Sequence, residues 1–197
     1  MTVAAASLST SDGGLEPFDP ALDHFARLGL DRAWRVDRNA LEDGYLDRSR
    51  RYHPDRHAGA DAATRRAALE HSAALNEAYQ VLRDRVRRAE YLVKLGGVDL
   101  DSSDPQTGAP HPEQSFLIEM IERRERLEAV SSGGTEALEQ LRDEIEAELE
   151  QVFDAGVAAL ERGDTRAAAA ELVHRRYLQR FNDEVGALLD ELEAGSG

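Results

Sequence analysis

His53, Asp55 and His57 stand close together in "RRYHPDRHAG" (51–60). An imidazole beside a carboxylate can move protons, and two imidazoles four residues apart can grip a metal ion. Pro54 lies between the histidines and prevents the helical turn that would bring them to one face. No metal site is therefore expected. Hydrolysis lacks its other parts, because no serine sits in a nucleophile motif and no glycine-rich loop could cradle a phosphate. The chain has no cysteine. Disulfides, thiolate catalysis, zinc–thiolate sites and cysteine-held iron–sulfur clusters are thereby excluded. Neither catalysis nor a cofactor is expected. The simplest reading of the stretch is a helix stop, in which Pro54 terminates and Asp55 accepts nearby backbone N–H groups. His-Pro-Asp arises by chance in about one chain in a hundred of this length.

The elements around the loop read as helices. Hydrophobic residues make up 41% of the 197 residues, aromatics 6% and charged residues 32%. Ala, Leu, Glu and Arg dominate and runs of β-branched residues are absent, which predicts an all-α chain. A short helix is expected over 21–30. A second begins near Asp37, a plausible N-cap, with Leu41, Tyr45 and Tyr52 on its inner face. A third runs from about Ala62 to about Asp84, lined by Ala68, Ser72, Leu75, Tyr79 and Leu82. The two longer helices pack antiparallel about the loop. "RVRRAEYLVKLGG" (85–97) predicts another short helix, stopped at Gly96.

"GGVDLDSSDPQTGAPHP" (96–112) is the strongest break, rich in Gly, Pro, Ser and Asp. Three helical patterns follow, over 114–131, 135–161 and 165–193. The middle one carries Leu138, Leu141, Ile145, Leu149, Val152 and Leu160 at near-heptad spacing. Asp164 is the expected N-cap of the last, with Leu178, Phe181, Val185, Leu188 and Leu192 inside. Short connections imply an antiparallel three-helix bundle.

Charge divides the chain in the same way. Residues 20–95 sum to +3, residues 98–197 to −15 and the first 19 to −3. The asymmetry suggests two modules with different partners. The acidic half would repel phosphates, so nucleic acid is not an expected partner. No apolar run approaches the roughly 20 residues of a membrane span. "MTVAAASLSTSDGG" has no charged n-region, no long apolar stretch and no arginine, which predicts a disordered tail on a cytoplasmic protein.

Tyr52-His53-Pro54-Asp55-Arg56 follows a basic amphipathic helix, and "LNEAYQVLRD" (75–84) comes after it. The arrangement resembles the J domain of DnaJ-type co-chaperones over about residues 20–84. The resemblance implies that His53, Pro54 and Asp55 stimulate ATP hydrolysis by a DnaK-type partner. Arg50, Arg51 and Arg56 beside the loop would meet an acidic surface on that chaperone. Asp47 departs from the pattern, since many J domains carry a basic residue there, so the docking charge should be weaker or differently centred.

The helix over 112–130 has an unusual distribution. Phe116, Met120, Leu127 and Val130 fall within about 80° of arc, enough to join a bundle. Leu117, Ile118 and Ile121 form a second cluster about 150° away, flanked by Arg124 and Glu125. One bundle helix normally needs one apolar face. The surplus either packs inside the protein, on the first module or on "AEYLVKLGG", or docks another protein.

"RRAEYLVKLGG", a linker and "FLIEMIERRE" together resemble the HscB family of iron–sulfur assembly co-chaperones, over nearly all of residues 20–193. That resemblance implies a J domain joined to a C-terminal three-helix bundle whose apolar face binds an IscU-type scaffold. Leu117, Ile118, Ile121, Arg124, Glu125 and Tyr177 occupy the matching positions. The chaperone would be of the DnaK/HscA type. Ile118 stands where methionine is usual, and Asp84-Arg85 replaces a frequent X-Pro. No cysteine tetrad precedes the J domain, as it does in many eukaryotic members, so a bacterial-type protein is expected. The expected layout is a disordered tail over 1–19, a J domain with its connecting helix over 20–95, a linker over 96–113 and the bundle over 114–194. A J-domain adaptor for a different client, or a bundle that mediates oligomerisation or weak self-association, stays open as the alternative.

Overall fold

Asp37 opens the helix that leads to the loop. Its backbone is extended and its carboxylate accepts the N–H groups of Asn39 and Ala40 at 2.8 and 2.9 Å. Two of the four N–H groups that a helix start leaves without partners are thus satisfied. Asp61 caps the returning helix through Thr64 N–H, and Asp23 caps the first through Ala26 N–H. The computed structural model describes residues 15–131 and 135–195. In chain order the helices are α1 (His24–Leu28), α2 (Arg38–Tyr52), α3 (Ala62–Arg83), α4 (Arg85–Leu95), α5 (Gln114–Ser131), α6 (Thr135–Glu161) and α7 (Thr165–Gly195), with a 3-10 turn at Pro54–His57 between α2 and α3. The all-α expectation holds. The expected tail lies outside the described residues as far as residue 14, and so do residues 132–134 between the first two bundle helices.

The chain divides into two compact units at Asp84–Arg85. In the first, α2 and α3 are antiparallel. Tyr45 stacks on Tyr79 at 4.2 Å near one end, and Tyr52 stacks on His71 at 4.3 Å near the other. Phe25, Leu28, Leu41, Ala68, Leu75, Ala78 and Leu82 form the core. His71 and Ala78 share the stripe, while Ser72 and Tyr79, expected there, lie at its margin. Residues 15–19, assigned to a disordered tail, are part of this unit. Phe18 meets His71 edge-on, and Arg27 Nη2 donates to the Asp19 carbonyl at 3.0 Å.

The second unit is built on α6 and α7. Gly163 adopts φ 77°, a left-handed turn that favours glycine, and Asp164 then accepts from Ala167 N–H at 3.0 Å. A β-carbon on Gly156 would press on the Glu171 side chain, where Ala168 and Ala169 are fully buried. Small residues let the two helices approach closely at that end. Further along, Leu138, Leu141, Ile145 and Leu149 of α6 meet Leu178, Phe181, Val185 and Leu189 of α7, and α5 closes the bundle with Met120 and Leu127. The buried set of α6 continues to Phe153 and Ala159 rather than Val152 and Leu160, and that of α7 takes Leu189 rather than Leu188. A straight helix drifts from a heptad by about 20° per repeat, which accounts for the one-residue shifts.

Two boundaries differ from the sequence reading. Helix α4, grouped with the first module, packs on α6 and α7 of the second, burying Ala89 and Val93. Residues 96–113 are not a free linker. Val98 and Leu100 are buried, and Asp99 bridges to Gly108. Asp104 accepts the N–H groups of Gln106 and Thr107. Arg176 of α7 ties the region together, pairing with Glu90 at 2.7 Å and Asp101 at 2.8 Å and donating to the Leu100 carbonyl. A stretch rich in Gly, Pro and Asp reports turn chemistry, not the absence of packing.

Phe181 is 1% exposed at the centre of the bundle. Phe181→Ala should destabilise the second unit by about 3–5 kcal/mol, read from urea unfolding of the full chain.

Candidate functional site

Pro54 ends α2 because its ring forces His53 into extended backbone, at φ −60° and ψ 125°. His53 thereby becomes both the C-cap of one element and the N-cap of the next. Its Nδ1 accepts the Asp55 N–H at 3.3 Å. The sequence reading gave that backbone-satisfying role to Asp55; the structure gives it to the His53 ring. Asp55 is left with its side chain 91% exposed, and its carboxylate lies 3.8 Å from His53 Nδ1.

The residues after the turn brace it. Arg56 donates to the Arg50 carbonyl at 3.2 Å, and His57 Nε2 donates to the Arg51 carbonyl at 2.9 Å. These carbonyls belong to the last turn of α2, where no helical N–H can reach them. Arg56 is therefore partly a helix cap and not solely a docking cation. His57, weighed as a metal ligand, has that ring nitrogen committed to a carbonyl. Among the described residues no group of three or more His, Asp or Glu side chains is placed to hold a metal ion.

Arg50 is exposed. Arg51, expected to be equally available, pairs with Glu16 at 2.5 Å. Tyr52 donates its hydroxyl to the same carboxylate. Burial first, and then the Glu16 hydrogen bond, push the Tyr52 hydroxyl up to about 12. No local signal in the sequence announces a partner for Arg51 thirty-five residues upstream.

On the second unit, α5 behaves as its two stripes predict. Met120 and Leu127 are buried, with Phe116 and Val130 packed beside them. Leu117, Ile118 and Ile121 are 39%, 49% and 57% exposed. The surplus face is not covered by the described residues of its own unit. Helix α7 borders it. Tyr177 meets Phe116 edge-on at 5.8 Å, Phe116 stacks on His174 at 4.2 Å, and Arg124 lies 3.7 Å from Glu184. Glu125 is exposed one turn beyond Ile121. Exposed apolar side chains grouped on one helix face mark an interaction surface more often than an accident of packing.

A proline-ended helix, a braced turn with a projecting carboxylate and an antiparallel partner helix define a J domain. Residues 23–91 match the family model described as the DnaJ domain, and residues 112–186 match the model of the HSCB C-terminal oligomerisation domain. The co-chaperone protein HscB homolog of Cupriavidus taiwanensis is 36% identical over 172 residues, spanning 87% of this chain and 96% of that protein. The homolog of Ralstonia nicotianae is 34% identical, spanning 86% and 96%. The chain belongs to the HscB family of co-chaperones. Among solved structures, chaperone HscB from Vibrio cholerae superposes with a TM-score of 0.69 at 29% identity, covering 86% of this chain and 99% of that one. Human co-chaperone protein HscB shares the fold, with a TM-score of 0.74 at 24% identity over 92% of both chains. Among the described residues no helix is long and apolar enough to cross a membrane.

Exposure separates the two stripes of α5 energetically. Leu117→Ala combined with Ile121→Ala should change stability by less than about 0.5 kcal/mol in urea unfolding, as surface substitutions do. Met120→Ala, at a buried position, should cost about 2–5 kcal/mol in the same measurement.

Proposed function

We propose that this chain is an adaptor that binds an IscU-type iron–sulfur scaffold and stimulates the ATPase of a DnaK/HscA-type chaperone during cluster assembly and transfer. The observation that carries the reading is exposure. The Asp55 carboxylate and the Leu117–Ile118–Ile121 row are both open to solvent, while Arg56 and His57 brace the turn and Met120 and Leu127 are buried behind the row. Membership of the HscB family supports the pairing of these two tasks on one chain.

The loop acts by shape and charge. A carboxylate held on a turn that cannot become helix can offer two oxygens to a partner arginine in bidentate geometry. The braced turn loses little freedom on docking, because Arg56 and His57 have already fixed it. Arg50 steers the approach to an acidic surface. Stimulation follows if the loop binds the hydrolysis-competent conformation of the chaperone better than the resting one.

The apolar row acts as an anchor. Leu117, Ile118 and Ile121 supply the dry centre of an interface, and Arg124, Glu125 and Tyr177 supply its rim. Joining both surfaces on one chain raises the local concentration of scaffold at the chaperone without any new contact. With no cysteine to ligate iron, the chain's own part is delivery of the cluster carrier. The reading places this work in the cytoplasm of a bacterial-type cell.

The description of the C-terminal family model favours a second reading, in which the same row joins copies of the chain. Sedimentation of the free protein separates the two. A monomer whose row is covered only when scaffold is added supports delivery; a dimer that Leu117→Ala with Ile121→Ala dissociates supports self-association.

Asp55→Asn should abolish stimulation of the chaperone ATPase and leave scaffold affinity unchanged; an ATPase assay and calorimetry read the two effects, and retained stimulation removes the role given to the loop. Leu117→Ala with Ile121→Ala should weaken scaffold binding by more than about 1 kcal/mol, the usual scale of truncating an anchor residue. Unchanged affinity in calorimetry would remove the row from the interface.

A further inference from the structure

Glu16 lies ahead of the span that the DnaJ family model matches, which begins at residue 23. It nevertheless sits at the last turn of α2, next to the loop. One carboxylate oxygen accepts from Arg51 Nη2 at 2.5 Å and the other accepts from the Tyr52 hydroxyl. The segment around it is anchored independently of that carboxylate. His71 Nε2 donates to the Glu16 carbonyl at 3.0 Å, Phe18 packs edge-on against the His71 ring, and Arg27 holds the Asp19 carbonyl and lies 4.9 Å over the Phe18 ring. The carboxylate is thus delivered to Arg51 by a strap that would stay in place without its charge.

We infer that Glu16 is an intramolecular competitor for Arg51. It occupies, in the free protein, the guanidinium that chaperone docking would engage, and so lowers the affinity of docking. The inference rests on the loop reading given above. An acidic partner surface and Glu16 ask the same thing of Arg51. Exchanging one carboxylate for another yields little net attraction, and the Glu16 charge also repels an incoming acidic group. The Arg51 and Glu16 side chains are 48% and 36% exposed, so the pair is reachable by solvent and by a partner. Such a pair is weak enough to be exchanged rather than locked.

Glu16→Gln tests this. Glutamine keeps the shape and can still accept the Tyr52 hydroxyl, but carries no charge. In ATPase stimulation with the full chain and a DnaK-type chaperone, the half-saturating concentration should fall about threefold at low salt, the scale of a half-exposed ion pair, and the gain should shrink at high salt. In an Arg51→Ala background the same substitution should change nothing beyond a small residual repulsion. A residue that merely supported the fold would behave oppositely, since losing it would weaken docking at every salt concentration. No gain from Glu16→Gln, or an equal gain without Arg51, overturns the inference, provided that Asp55→Asn is inactive in the same assay. If Asp55→Asn still stimulates, the loop reading itself fails and takes this inference with it.

Discussion

The carbonyl groups at the end of α2 have no helical N–H to meet, and the loop is arranged around that deficit. Proline makes the stop unavoidable. Side chains from beyond the stop then turn back to fill it: Arg56 on the Arg50 carbonyl and His57 on the Arg51 carbonyl. His53 satisfies the first backbone N–H of the turn. Once these groups are paired within the loop, the Asp55 carboxylate is not needed by the backbone and faces outward. One carboxylate of the motif is therefore spare because His53, Pro54, Arg56 and His57 complete the helix end without it.

The α5 face follows a related logic at the level of packing. Helices α6 and α7 make most of the bundle core between them, so α5 needs only a narrow stripe to join. Met120 and Leu127 supply it. The other apolar residues of α5 are more than the unit can cover, and α7 borders them with an aromatic ring and an acid instead of burying them. Polar satisfaction frees a carboxylate in the first unit; spare apolar area frees a surface in the second.

Much of this was legible in the sequence because the signals are local. Asp37 and Asp164 announce helix starts by type and position, and Pro54 announces a stop. The two stripes of α5 follow from counting 100° per residue, and they correctly separate Met120 from Leu117. What escaped depends on distance along the chain. The Glu16–Arg51 pair spans thirty-five residues and has no periodicity. Nothing in the periodicity of α4 says which module it joins, and it packs on α6 and α7, burying Ala89 and Val93. The Asp-rich stretch after it reads as a linker because turn residues look alike whether or not Val98 and Leu100 are buried among them. His71 stands three residues after Ala68 and four before Leu75, on the same stripe, but a histidine carries no apolar signal to place it there.

The tight reversal at Gly163 bears on how the second unit assembles. By joining the two longest helices through so few residues, it makes their contacts near neighbours in the chain, and nearby contacts forfeit little loop entropy. The α6–α7 pair is the segment best able to organise early, yet it leaves the ribosome after α4 and α5. Until it emerges, α4 and the Met120–Leu127 stripe of α5 lack their platform, so a nascent chain exposes more apolar surface than the folded unit.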